Sequence, residues 1–484
     1  MHIEGSRSAL ALGFQNPQSV SPPPPMQISH VILGLALGLA PIASTASTTP
    51  LAGPQDQGYT VDELPAILPQ RDQAAATNAL LRDRLDTLLP RLMRESGLEM
   101  WLVINREYAE DPVYLTLVPA PVFAARRTTI LVFHDRGEGA GVERLTVSRY
   151  ALGDFYASAW QEGGSDDAQW ARLREVIAER DPQSIGIDTS THWAHADGLS
   201  AGLRDRLQTA LGEPYVDRLQ SAENLAIRWL ETRTPAELEV YPQLVHLARR
   251  VIAEAFTNGV ITPGITTTDD VAWAIRQRFS DLGLPIWFQP YCNVQRKGMI
   301  PPADSVIWGQ SGAVIQRGDL VHTDVGIRYL RLCTDTQEMA YVLRPGEEDA
   351  PAGVQAAMAV GNRWQDLLTR SFVEGRSGNA ILAATREAAD AEGIVCSVYT
   401  HPLGFYGHAA GPTIGMWDNQ GPTPVRGEWR LQPSTAYAIE GSVTVPIPEW
   451  DDQLVQIKLE QDAWFDGQTV TYIGGRQTSW HLIR

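Results

Sequence analysis

Hydrophobic and polar positions along residues 72–219 alternate between the helical period and the strand period. Residues 76–95 carry a helical pattern, and three strand-like runs follow: MWLVIN at 100–105, TTILVFH at 128–134 and ERLTVSRY at 143–150. A charged helix over 170–180, the short apolar run SIGID at 184–188 and a helix near 200–211 complete an α/β pattern. Past residues 228–234 the pattern changes. A helical tract covers 235–258, PGITTTDD offers Thr268 as the N-cap of a helix running through Phe279, and strand-like alternation fills 306–343. Helices are predicted over 350–372 and 379–391, and strands from 399 to the end; no internal repeat is visible. The pattern therefore predicts an α/β domain at 60–228 and a second, α+β domain at 229–484.

A leader precedes both. Residues 1–25 end in Ser-Pro-Pro-Pro-Pro, and Met26 opens MQISHVILGLALGLAPIASTAS, with an apolar centre at 31–40. A run of about ten residues is too short for a bilayer, which takes roughly 20, and the small residues Ala43, Ser44 and Ala46 suit a cleavage site. This predicts a secretory signal at 26–47 within a leader of 1–48, with Met26 as initiator and a mature start near residue 48. The protein is expected to be exported, periplasmic or secreted. No cysteine follows to carry a lipid, so no membrane anchor is expected once the signal is removed.

Composition narrows the function classes. With 44% hydrophobic and 20% charged residues the chain can build real cores, which excludes wholesale disorder. Its 39 basic against 57 acidic residues leave a formal charge of −18, which opposes a nucleic-acid partner. Cys292, Cys333 and Cys396 make neither a disulfide framework nor a zinc ribbon. GLSAG at 198–202 has the spacing of a serine-hydrolase elbow, but the residues before it, His192 to His195, read as a helix start and not a strand, so the match is assigned to chance. His192 and His195 are expected as surface or N-terminal residues, not as ligands.

The candidate chemistry lies in the second domain, where acids and histidines stand inside apolar or alternating strands. In DLVHTDVG a period of two puts Leu320, His322 and Asp324 on one face. Asp335 follows eleven residues on, as expected for the return strand of a hairpin, with Cys333 and Gln337 on its face. His401 in YTHPLG, Glu440 in AYAIEGS and Glu460 in QLVQIKLEQ complete a set of oxygen donors with one imidazole, which suits a pair of divalent cations. Four carboxylates drawn together would raise one another's pKa values, whereas two divalent ions balance their charge.

These residues, in this order and spacing, resemble the creatinase/aminopeptidase P/prolidase family of pita-bread metallopeptidases, which also includes the methionine aminopeptidases. The resemblance covers roughly 233–473. It rests on DVG around Asp324, the second Asp eleven residues later, H-x-x-G at 401–404, a second histidine at His408, IEG at Glu440 and LEQ at Glu460. The 60–228 domain is similar to the non-catalytic N-terminal domain of two-domain members. What the resemblance implies is a pita-bread catalytic domain with two metal ions, Asp335 and Glu460 bridging them, Asp324 completing one coordination sphere, and His401 with Glu440 the other. It further implies a metal-bridging hydroxide as nucleophile, Glu440 as proton acceptor and shuttle, and His408 as hydrogen-bond donor to the substrate carbonyl or developing oxyanion. Mn²⁺ is the expected ion for this donor set, with Zn²⁺ or Co²⁺ able to substitute. The implied activity is hydrolysis of Xaa-Pro bonds in a peptide substrate, as an aminopeptidase or dipeptidase. Another C–N (amide) hydrolysis on the same fold, or a catalytically silent metal-binding module for peptide recognition, stays open. Similar proteins are often dimers or tetramers, so a homodimer is compatible with the resemblance.

Several positions depart from the family pattern. The histidine usual some seventeen residues before the first Asp is absent, with Ile307 near the place, and the one usual four before the ligand histidine is Ser397. Lys458 replaces the arginine two before the last Glu, keeping the charge without the bidentate fork, and Glu338 stands where the motif after the second Asp runs to an arginine. His322, on the strand face of Asp324, is read as a compensating catalytic residue or as a hydrogen-bonded support beneath the site. Trp417 and Trp308 are expected to wall a pocket for a proline ring, so His408, Lys458 and Trp417 are the expected substrate-binding residues.

Overall fold

The structure, a computed structural model, describes residues 64–161, 163–299 and 309–484. The expected leader at 1–48 with its signal at 26–47, together with Ile307 and Trp308, lies outside the described residues. Among those described, no helix is long and apolar enough to cross a membrane.

A first sheet comprises β1 (Met100–Arg106), β2 (Thr128–Asp135), β3 (Val142–Val147), β4 (Ala157–Ser158), β5 (Ile185–Ile187) and β6 (Leu219–Ser221), in the order β4-β3-β2-β1-β5-β6. β1 runs antiparallel to β2 and parallel to β5. It is apolar at almost every position because both its faces are covered. Met100, Leu102 and Ile104 share a core with Trp170 and Leu173 of the helix Asp166–Ala178 and with Leu207 of Ala201–Leu211. Trp101 and Val103 share the other core with Leu85, Leu89 and Trp229. The helix expected over 76–95 is interrupted: Gln70–Asp83 passes through a π-helical turn, Arg84–Leu88, into Leu89–Glu95, where Pro90 lacks the N–H that a regular turn would use.

The second sheet holds β7 (Tyr291–Gln295), β8 (Leu320–Val325), β11 (Thr336–Val342), β12 (Val395–Val398), β14 (Thr435–Ile447) and β15 (Gln453–Phe465), in the order β12-β14-β15-β11-β8-β7. β13 (His401–Leu403) pairs with β14, β16 (Val470–Tyr472) with β15 and β17 (His481–Ile483) with β11. β9 (Arg328–Tyr329) and β10 (Leu332–Cys333) form a small hairpin between β8 and β11. Two buried polar contacts show which face the helices cover. Arg249 of the helix Pro235–Ala255 donates from Nε to Glu338 at 2.6 Å, and Gln365 of Ala352–Arg370 donates from Nε2 to Gln461 at 2.6 Å. Glu338 and Gln461 each follow directly on Gln337 and Glu460, so both helices pack on the side away from those two residues.

Helix starts are set by side-chain caps. Thr234 forms a capping box with Glu237 at the head of Pro235–Ala255. At the next helix the cap is Thr267 and not the expected Thr268, because Thr267 is the residue in extended conformation whose hydroxyl accepts from the Asp270 N–H while the Asp270 carboxylate returns the bond; Thr268 is the first helical residue.

Candidate metal centre and active site

Residues directly opposite one another in paired strands project from the same face of a sheet. Glu440 of β14 stands opposite Glu460 of β15, Glu460 opposite Gln337 of β11, and Gln337 opposite Asp324 of β8. One rung across four strands thus places three acids and an amide in a row, on the face the helices leave free. His401 opens β13 opposite Ala438, two residues from Glu440. Asp335 lies just before β11, since the expected return strand is broken between β10 and β11. Its N–H donates to Asp462 Oδ1 at 3.0 Å, and the Thr336 hydroxyl donates to Asp462 Oδ2 at 3.0 Å. Cys333 belongs to β10, with its thiol directed at the Phe405 carbonyl.

The five residues expected as ligands are brought together. His401 Nε2 lies 3.5 Å from Asp335 Oδ2, 3.6 Å from Glu440 Oε2 and 3.9 Å from Glu460 Oε1. Ligand atoms of Asp324, Asp335 and Glu460 lie within 4.8 Å of one another, as do those of His401, Glu440 and Glu460 and those of Asp335, His401 and His408. Glu460 belongs to the first two groups, Asp335 to the first and third. His401 Nδ1 donates to the Pro402 carbonyl at 3.1 Å, which aims the other ring nitrogen at the acids.

The site's hydrogen bonding and its charge both fit divalent cations. His401 Nε2, Asp324 Oδ1 and both carboxylate oxygens of Glu460 are buried without a hydrogen-bond partner, a costly arrangement that coordination to an ion would relieve. Burial, followed by Asp335 and Glu440, pushes the Asp324 and Glu460 carboxyls well above their ordinary range. Burial also raises Asp335, and takes Glu440 to about 7 against the pull of His401. Burial draws the His401 imidazole down, but Asp335 and Glu440 override it and hold the ring at about 10. The set attracts positive charge from every side.

The remaining expected residues surround this row. His408 is exposed beside it, 4.7 Å from His401 between ring centroids, with Nε2 3.3 Å from the Tyr399 hydroxyl. Burial and then His401 push its imidazole down to about 4. Lys458 is buried one rung away, its backbone N–H donating to Met339 Sδ at 3.3 Å; burial lowers its ammonium to about 7 although Asp324 opposes the shift. His322, opposite Met339 on that next rung, is 3% exposed and contacts Gln337 from Nε2 at 2.7 Å. Trp417 is half exposed in the turn between Met416 and Asn419 and makes no ring contact with the cluster among the described residues. Glu338 faces the helices, where burial is overridden by Arg249 and His481 and its carboxyl is held at about 2; this departure from the family motif therefore lies on the opposite side of the sheet from the acids.

Two aromatic residues not singled out in the sequence complete the site. Trp287 stacks edge-on to His408 at 5.1 Å and donates from Nε1 to the Thr334 carbonyl at 2.8 Å. A Cβ at Gly326 or Gly407 would run into its indole, so the glycine of DVG and the one before His408 are both required by this ring. Tyr399, two residues before His401, adds its hydroxyl beside His408. The spacing of Tyr399 was a readable signal; nothing in the sequence marks Trp287.

The sequence model of metallopeptidase family M24 matches residues 243–465, which contain all four acids, Asp324, Asp335, Glu440 and Glu460, as well as His401 and His408. No curated protein matches the chain by sequence. Among solved structures, the X-Pro aminopeptidase from Thermotoga maritima MSB8 is similar at 17% identity and a TM-score of 0.58, over 81% of this chain and 99% of that one. The Xaa-Pro dipeptidase from Bacillus anthracis is similar at 14% identity and 0.54, over 85% and 100%. The N-terminal domain of FACT complex subunit SPT16 from Cicer arietinum (chickpea) is similar at 12% identity and 0.51, over 86% and 98%. At such identities the likeness establishes the fold. Residues 243–465 thus form a metallopeptidase family M24 domain with the pita-bread fold, matching the creatinase/aminopeptidase P/prolidase family to which the motifs point.

Proposed function

We propose that this protein is a dinuclear-metal hydrolase that cleaves Xaa-Pro peptide bonds, as an aminopeptidase or dipeptidase. The observation that carries this reading is the pair of ligand groups sharing Glu460, with buried donor atoms unpartnered, next to an exposed histidine. Asp324, Asp335 and Glu460 would hold one ion and His401, Glu440 and Glu460 the other, with Asp335 shared; Mn²⁺ suits this set of hard oxygen donors. Such an ion pair, when bound, supplies Lewis acidity and brings the pKa of water to roughly 7. Glu440 Oε2 accepts the proton lost by the attacking water and passes it to the departing proline nitrogen. His408 directs a ring N–H to the scissile carbonyl oxygen as negative charge develops there. Trp287 and Trp417 present apolar surface to the proline ring.

Assay of the purified protein with Mn²⁺ on a small Xaa-Pro panel, against Xaa-Ala controls, tests this. Cleavage is expected on the panel, and activity confined to the controls would overturn the proline specificity. The absence of two family histidines, with Ser397 at one place and Ile307 near the other, supports a second reading: a metal-holding peptide-recognition module without turnover. Metal uptake without hydrolysis across a broad peptide library would select it. The leader at 26–47 supports export, and an intact mass beginning near residue 48 is the expected measurement.

A further inference from the structure

Gln337 occupies the centre of the ligand row, opposite both Glu460 and Asp324, yet as a neutral amide it adds nothing to the charge there. Its side chain makes two short contacts: Oε1 lies 2.7 Å from His322 Nε2, and Nε2 lies 2.7 Å from Glu440 Oε1. An amide oxygen only accepts, so His322 Nε2 is the donor in the first contact. An ionised carboxylate also only accepts, so the Gln337 amide nitrogen is the donor in the second. The chain of bonds therefore has one direction, from the His322 ring through Gln337 to Glu440. With Oε1 of Glu440 tied to the amide, Oε2 is left facing His401 Nε2, 3.6 Å away. Neither rotation nor withdrawal of the carboxylate is then free.

We propose that His322 and Gln337 are positioning residues for Glu440. His322 fixes which way the Gln337 amide faces, and Gln337 in turn fixes which Glu440 oxygen is presented to the metal and to the proton in transit. Without the His322 donor the amide can turn over and place its carbonyl oxygen against the carboxylate, which repels it. His322 suits the task because it is fixed: 3% exposed, edge-on to the Tyr291 ring at 6.3 Å, and on the rung beside the acids. The inference rests on the metallopeptidase reading and assigns a role within it to two residues that would coordinate no ion.

The test is a double-mutant cycle with Gln337→Met, His322→Phe and the pair, each measured by Mn²⁺ titration calorimetry and by kcat and KM on an Xaa-Pro substrate. Loss of such outer partners costs roughly 10–100-fold in metal affinity or activity. Gln337→Met is expected to lose about that much in kcat and in Mn²⁺ affinity, with KM changed less than about threefold. His322→Phe is expected to lose several-fold in both, and the double variant no more than Gln337→Met alone, since His322 acts through Gln337. His322→Gln, which restores an N–H near the same point, is expected to recover most of the loss; a purely structural role would not predict that rescue. Additive losses in the double variant, or no recovery with His322→Gln, would overturn the proposal. The calorimetric cycle reads the coupling even if the peptide is not cleaved. A wild-type protein that binds no Mn²⁺ overturns the metallopeptidase reading itself, whereas binding without coupling overturns the relay alone.

Discussion

Asp111 and Asp188, in the region of the first sheet, are 2% and 1% exposed, as deeply buried as Asp335 and Glu460 at 3% and 1%. Asp188 Oδ1 accepts from Trp101 Nε1 at 2.7 Å and Asp111 Oδ1 from the Val113 N–H at 3.0 Å, and the Oδ2 atom of each is buried without a donor. Burial and then Asp197 push the Asp111 carboxyl up to about 6, while burial and then Asp111 push Asp188 well above the ordinary range. Both shifts favour one proton held by this pair over two bare charges. The second sheet gathers twice as many acids around one imidazole, leaves several donor atoms unpartnered, and opens beside an exposed histidine. A proton is too little charge, held in too small a space, to answer that arrangement. Identical side chains at equal burial thus become a closed structural pair or a centre poised for cations, according to their number and to what lies beside them.

The largest effect should come from Glu460, the residue common to both ligand groups. Glu460→Gln is expected to lose bound metal, measured by elemental analysis, and about three orders of magnitude in hydrolysis, on the order of 4 kcal/mol. Asp188→Asn is expected to leave both quantities unchanged, and parallel losses in the two variants would break the contrast.

Chelation comes next. Removing divalent ions is expected to lower the unfolding free energy by about 2.7 kcal/mol for a site held at a hundredfold excess over Kd, seen as a lower melting midpoint that Mn²⁺ restores. The same drop in Asp188→Asn would show that the proton-sharing pair is independent of the ions.

A comparable but pH-dependent effect is expected at Asp111. Its folded pKa, about 6, lies above the ordinary 3.8, so the native state holds the proton more tightly than the unfolded chain does. The stabilisation is complete below about 3.8 and is lost as pH rises through about 6, on the order of 3 kcal/mol in all. The melting midpoint of wild type minus that of Asp111→Asn should therefore fall between pH 4 and 8; a flat difference would refute the shared proton. Smallest of all, Trp417→Ala is expected to raise KM less than about fivefold with metal content intact, as suits a half-exposed ring outside both acid groups.

Much of the site was legible because its chemistry is written in local alternation: Asp324, His401, Glu440 and Glu460 stand out as polar residues in apolar strands. What local pattern cannot show is which residues of distant strands lie opposite one another. Gln337 could be placed on a face but not at the centre of the row, because that depends on β11 pairing with β15 and β8 at once. Glu338 departs visibly from the family motif, but only its contact with Arg249 reveals that it faces the helices. Asp335 was expected inside a strand, whereas the β9–β10 hairpin breaks the strand before it. Thr267 and Thr268 are the same residue type, and the choice of cap turned on which of them lies three residues before Asp270. The continuous apolar run of β1 was readable as a strand, and its two covered faces explain why no alternation appears in it.

The row of Glu440, Glu460, Gln337 and Asp324 makes the chemistry a matter of parity. Inserting or deleting one residue within β14 or β15 can leave the backbone lattice paired, yet it turns every following side chain to the opposite face and carries a carboxylate from the cleft to the helix side. Length variation among relatives should therefore be confined to the connections, with the counts from Glu440 to the β14–β15 turn and from that turn to Glu460 changing only together and only by steps that preserve which side each acid faces.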